Sequence, residues 1–177
     1  ILSVTTFLTF NLWINAQELV IGEERIEPGI IFVFEGAIKD KIIPSSMHLS
    51  EKQTNVHIEA RVNWDIKNVP AGTPKGGFIP YLDVTAKITN QKSGLSTFID
   101  LHPHINLIDN FHYARNISLP GSISDMYTVD FNIIPPSNIE LALHNYWVLK
   151  YGENFLVNKK FKYHDVDFEE IAKSSRK

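Results

Sequence analysis

Apolar residues recur along this chain in short runs of period two, broken by proline and glycine, and no long stretch keeps helical spacing. That pattern restricts the fold more than anything else in the sequence, because a period of two buries one face of a strand and no face of a helix. Val56-His57-Ile58-Glu59-Ala60-Arg61-Val62 shows it clearly, with Leu82, Val84, Ala86 and Ile88 alternating in a second run and Tyr127, Val129, Phe131 and Ile133 in a third. Segments 29–35, 95–101, 112–119 and 154–166 are further strand candidates, rich in β-branched and aromatic residues. Turn signals separate them at Pro70-Ala71-Gly72, Pro74-Lys75-Gly76-Gly77, Pro120-Gly121 and Pro135-Pro136. About seven strands at such spacing predict an all-β protein, an immunoglobulin-like two-sheet β-sandwich in a single domain.

Composition narrows the chemistry. A 177-residue chain that is 44% hydrophobic suits one domain with a substantial core. The net charge of −3 and the scattered Lys and Arg leave no basic footprint, which argues against nucleic acid as a partner. There is no cysteine, so disulfides, thiolate ligands and Cys nucleophiles are all excluded. Any metal must be held by nitrogen, oxygen or a Met sulfur. Residues 1–16 are uncharged and largely apolar and precede polar Gln17-Glu18. They read as a signal-peptide hydrophobic region, since a membrane span needs about 20 residues; a buried first strand is the other reading. The expectation is a periplasmic protein with its β-sandwich domain over 17–168, a polar C-terminal tail over 169–177 and no membrane span in the mature chain.

His57 and Glu59 stand two apart on the polar side of their strand, so their side chains point the same way about 6 to 7 Å apart. One imidazole and one carboxylate are half a metal site, although polar strand faces often carry such a pair. His102, His104, His112 and His144 all fall where a strand meets a loop, and sandwich loops gather at the ends of the domain. Several imidazoles with one carboxylate and no thiolate suit copper, zinc or iron rather than calcium or magnesium. No Ser/His/Asp order, phosphate loop or catalytic carboxylate pair is present, so an enzyme is not the first reading.

Four blocks in order carry a family resemblance: His57-Ile58-Glu59-Ala60, Gly77-Phe78-Ile79-Pro80-Tyr81-Leu82, His112-Tyr113 with Asn116, and Ile134-Pro135-Pro136-Ser137, preceded by Ile21-Gly22-Glu23-Glu24-Arg25. The chain resembles the periplasmic accessory proteins of high-affinity iron uptake, a family of copper-binding and iron-binding β-sandwich dimers. The resemblance implies metal ligation by His57, Glu59 and His112, with His144 as the late histidine. Where the family has Met-Pro-Met, this chain has His102-Pro103-His104, which puts His104 in the place of a methionine ligand. Imidazole in place of a thioether implies a weaker preference for Cu(I) than in a Met-containing relative. Asn110-Phe111 and Ala114 also depart from the family's Gly-Pro and Gly, implying a reshaped loop beside His112.

The expected function is therefore binding of copper, most naturally Cu2+, with iron or zinc as further candidates. The implied role is accessory to iron uptake, as a homodimer working beside an inner-membrane iron permease. Two rivals stand beside it: a copper-dependent ferroxidase or superoxide-handling enzyme, and an interaction module whose histidines are incidental. His48 and His164 match no ligand position and are expected at the surface or on an edge strand, and Met47 is set aside because neighbours in extended chain point apart. Asn116-Ile117-Ser118 is a formal glycosylation acceptor that carries meaning only in a eukaryotic secretory context.

Overall fold

A computed structural model describes residues 18–107 and 109–176; the segment expected as a signal peptide lies outside them. Among the described residues eight strands form: β1 (Leu19–Ile26), β2 (Ile30–Ala37), β3 (Val56–Trp64), β4 (Asp83–Asn90), β5 (Ser96–Asn106), β6 (Asn110–Ile117), β7 (Met126–Ile134) and β8 (Lys159–Asp167). All pairings are antiparallel, in the order β1-β2-β3-β6-β5-β4-β7-β8. The all-β single domain expected from the alternation is thus what forms, as one nearly closed sheet. Two short helices join it, α1 (Asn145–Tyr151) and α2 (Glu169–Lys173).

Strand β5 turns the corner of this sheet. Its first half, from Ser96 to Leu101, pairs with β4, and its second half, from His102 to Asn106, pairs with β6. The sequence reading gives this strand as 95–101, short of Pro103, whose ring leaves no N–H for a ladder. Here the strand runs on through Pro103, which falls just after the change of partner. That continuation carries His104 to a position directly opposite His112 on β6.

The even-numbered residues of β2, β3 and β4 and the odd-numbered residues of β7 face inward, where Phe32, Phe34, Ile58, Ala60, Val62, Val84, Ile88, Val129, Phe131 and Ile133 are buried. Phe34 stacks on Phe131 with ring centres 4.0 Å apart, joining the two ends of the strand order across the core. Near the open seam, Tyr163 on β8 donates to Glu24 on β1 at 3.2 Å. A Cβ at Gly22 would lie 2.1 Å from the Tyr163 ring, so the glycine of the Ile-Gly-Glu block is what lets β8 approach β1. The Gly77 to Leu82 block is not strand. It is clipped to β6 by Tyr113, whose buried hydroxyl donates to the Ile79 carbonyl at 2.8 Å and accepts from the Leu82 N–H at 3.1 Å.

The end of the chain differs from a plain polar tail. Phe168, Ile171 and Ala172 are buried, Lys39 Nζ donates to the Ala172 carbonyl at 2.8 Å, and Arg176 pairs with Asp40 at 3.0 Å. These contacts hold the start of residues 38–55, the long connection between β2 and β3, which folds back over the outer face of the sheet.

Candidate metal centre

On β3 the inward residues are apolar, so His57 and Glu59 must face outward, yet both are buried. The same outward face carries His102 and His104 on β5, His112 and Asn116 on β6, and Glu35 opposite Glu59 on β2. Residues 38–55 cover it like a strap. Between them lies a cavity of about 590 Å³, open on one side, lined by His57, Glu59, His102, His104 and His112 from the sheet and by Asp40 to Pro44, Met47 and His48 from the strap.

Asn116 is the node that holds strap to sheet. Its Nδ2 donates to the carbonyls of Asp40 at 2.8 Å and Leu49 at 3.0 Å, so its Oδ1 is left as the acceptor for the His57 ring, 2.7 Å from Nδ1. That arrangement assigns the tautomer. His57 carries its proton on Nδ1 and presents the Nε2 lone pair inward, the orientation that a neighbouring hydrogen bond imposes on a metal-ligating imidazole.

His57 Nε2 lies 3.7 Å from Glu59 Oε1, and His112 Nε2 lies 3.9 Å from the same oxygen. Nitrogens of His57, His104 and His112 lie within 4.8 Å of one another, with ring centres 5.3 Å apart for His57 and His104, 5.9 Å for His104 and His112, and 6.3 Å for His57 and His112. Three nitrogens about 2.0 to 2.1 Å from one ion lie about 3.4 to 3.6 Å apart. The rings therefore need to close in by up to about an ångström, within reach of small changes in several side-chain torsions.

Burial keeps the imidazoles neutral. It is the main cause that lowers His57 to about 4 and His104 to about 3, and it also lowers His112. Burial likewise pushes Glu59 up to about 8, helped by the negative charges of Asp109, Glu18 and Glu35 and opposed by Arg61. Glu59 Oε2 and both ring nitrogens of His104 are buried and find no hydrogen-bond partner within the protein. Buried polar atoms normally have one. Their common orientation toward a single cavity is what a bound cation would satisfy, since it would draw the proton off Glu59 and take up lone pairs already free of protons.

Of the residues expected in the site, His57, Glu59, His104 and His112 are brought together. His104 rather than His102 enters the group, while His102 lines the cavity further along the same face. His144 lies elsewhere, exposed at the residue preceding α1 with its ring 5.6 Å from Tyr146. Sequence reasoning places His48 away from the site and gives Asn116 no role in positioning a ligand. His48 lines the cavity with its ring centre 5.0 Å from that of His104, because the strap folds back onto the sheet and turns this side chain inward while Ser45, Ser46 and Ser50 stay exposed. Asn116 is buried and holds three partners, so it is a positioning residue and no surface acceptor for sugar. One signal could have found it: an Asn with the parity of His112 on the same strand shares its face.

Among solved structures, the fold is similar to that of copper-reconstituted P19 from Campylobacter jejuni, with a TM-score of 0.69 and 24% sequence identity over 84% of this chain and 94% of that one. It is also similar to a copper-bound variant of FetP from uropathogenic Escherichia coli strain F11, with a TM-score of 0.67 and 21% identity over 84% and 95%. At these identities the likeness concerns the fold. A curated relative, the 34 kDa membrane antigen of Treponema pallidum (strain Nichols), is 30% identical over 95 residues, 54% of this chain, and the chain spans about half of that protein, 46% of its length. Among the described residues no helix is long and apolar enough to cross a membrane. Residues 15–169, which include every strand and all four converging side chains, match the family described as Fe2+ transport protein, and the chain belongs to that family.

Proposed function

We propose that this chain is a periplasmic copper-binding protein that serves iron uptake beside an inner-membrane iron permease. The ion is held by His57, His104 and His112, with Glu59 as the anionic ligand. The observation that carries the reading is the convergence of three neutral imidazoles within 4.8 Å around a buried carboxylate. Family membership supports the link to iron, and the copper in the P19 and FetP structures supports the choice of ion. An all-nitrogen and oxygen donor set favours Cu2+, with zinc and iron as weaker competitors.

A second copy of the chain fits this reading. His144 is exposed beside Tyr146 and Leu149 on α1, both more than 70% exposed, while Ile105 and Leu107 project bare at the tip of the β5–β6 hairpin that carries His104 and His112. Docking α1 of one copy on the hairpin tip of the other would cover both apolar patches and bring His144 to the open side of the cavity. We also read the sheet as an immunoglobulin-like two-layer sandwich, on the strength of the change of partner along β5.

The test is metal content after periplasmic expression. After dialysis against a chelator, wild type should keep close to one tightly held copper per chain, and the His57→Ala, His112→Ala double variant should keep less than a tenth of that. Equal metal content in the two proteins, or none above background in either, would sink the assignment. Stoichiometric copper accompanied by sustained Fe(II) oxidation would instead favour the ferroxidase.

A further inference from the structure

The strap brings a histidine to the cavity that the first ion does not use. His48 meets His104 edge-on, with ring centres 5.0 Å apart and planes inclined by 78°, and its Nδ1 is buried without a hydrogen-bond partner within the protein. His104 has two free nitrogens, and an ion shared with His57 and His112 occupies one of them. The other nitrogen of His104 and Nδ1 of His48 then remain, two donors in one cavity with no hydrogen bond to each other. His102 stands two residues from His104 on the same strand face and lines that cavity as well. Side chains so spaced lie about 6 to 7 Å apart at their roots, close enough for both to reach one ion.

Simple geometry supports an ion in that gap. A ring centre sits about 3.2 Å from an ion bound at about 2.0 to 2.1 Å from its nitrogen, so two imidazoles on one tetrahedral ion have centres about 5 Å apart. The His48–His104 separation of 5.0 Å agrees with this as it stands.

We propose a second, outer ion position between His48 and His104, completed by His102 and solvent, with His104 bridging the two ions as an imidazolate. It would take a borderline divalent ion, Cu2+ or Zn2+, because its protein donors are all imidazole nitrogen. Binding of the outer ion displaces the remaining N–H proton of His104 to solvent; no electron is transferred and no other bond is broken. The proposal rests on the inner site assigned above, since His104 is shared. What it adds is a ligand from the strap, at a position where the family pattern has none.

The experiment is a Cu2+ titration of the metal-free full chain at pH 8, followed by equilibrium dialysis and by electron paramagnetic resonance. Wild type should take up two equivalents per chain, and the signal of the first should fall as the second binds, because an imidazolate bridge couples the two spins. His48→Ala should keep the first equivalent with its signal intact, which also shows that it is folded, and should bind the second at least tenfold more weakly. Saturation of wild type at one equivalent would overturn the outer position, as would a second equivalent that binds His48→Ala with unchanged affinity or without coupling in wild type. Absence of the first tight equivalent from wild type would instead remove the inner site, and the bridge with it.

Discussion

The face formed by β3, β6 and the second half of β5 and the face formed by β4, β7 and β8 grow from the same alternation, yet they have opposite fates. On the second face Lys162 pairs with Asp130 at 2.9 Å, Lys87 lies 5.3 Å above the Phe98 ring, and Phe98 itself is 73% exposed. Its polar groups meet water and one another. On the first face His57, Glu59, His112 and Glu35 are all at least 97% buried, and several of their polar atoms have no partner within the protein. The difference does not come from the strands. It comes from residues 38–55, which lie over one face and not the other. Period two tells which side chains share a face; whether that face is wet depends on a connection elsewhere in the chain. A covered polar face with unmet donors and acceptors is unstable by itself and makes sense as a site for a ligand.

The largest expected effect follows from that burial. Glu59 is raised by burial from 4.5 to about 8. In the unfolded chain it ionises from about pH 4.5, whereas in the folded chain it stays protonated until about pH 8, so the metal-free protein loses stability as pH rises across that window. Glu59→Gln removes the loss. The metal-free variant should match wild type near pH 4.5 and exceed it by about 2–4 kcal/mol at pH 8. His57, lowered by burial to about 4, destabilises both proteins alike as pH falls below about 6.5 and cancels from the difference. Urea unfolding of the two metal-free proteins at pH 5, 6.5 and 8 checks this. Parallel curves would mean that Glu59 is as wet as the carboxylates on the other face.

How much of this was legible follows the same division. His57, Glu59 and His112 could be read because strand period and ordered sequence blocks both point to them, and His104 because it stands where the family has a ligand. His48 could not, since its position depends on how a connection without periodicity folds back, and nothing local in Ser45-Ser46-Met47-His48 encodes that. The extension of β5 past Pro103 leaves no mark in the alternation, because a proline is tolerated there only by the strand's change of partner, which depends on the rest of the sheet. Helix α1 is one short stretch, too brief for a 3.6-residue period to emerge from Asn145 to Tyr151.

A smaller effect isolates the strap. Asn116→Ala removes the acceptor of the His57 Nδ1 proton and the donor to two strap carbonyls, leaving buried groups unmet. The expected cost is about 2–3 kcal/mol of stability, with copper affinity reduced about 10- to 100-fold as the His57 tautomer loses its anchor. Amide hydrogen exchange should quicken in residues 38–55 and stay unchanged on β4, β7 and β8. Uniform exchange with intact copper affinity would show that the strap is held by something other than Asn116.

The smallest effect belongs to the wet face and serves as its control. Lys162 and Asp130 are about half and one-third exposed, so their attraction is screened by water and opposed by the entropy of holding a long side chain still. A double-mutant cycle with Lys162→Ala and Asp130→Ala should give a coupling of about 0.2–1 kcal/mol that shrinks with added salt. Copper affinity should not move, because neither residue lines the cavity under the strap. If the coupling instead reached the size expected for Asn116, the face would be drier in solution than its exposure indicates. Some further cover, such as a partner chain, would then have to lie over β4, β7 and β8 as the strap lies over β3 and β6.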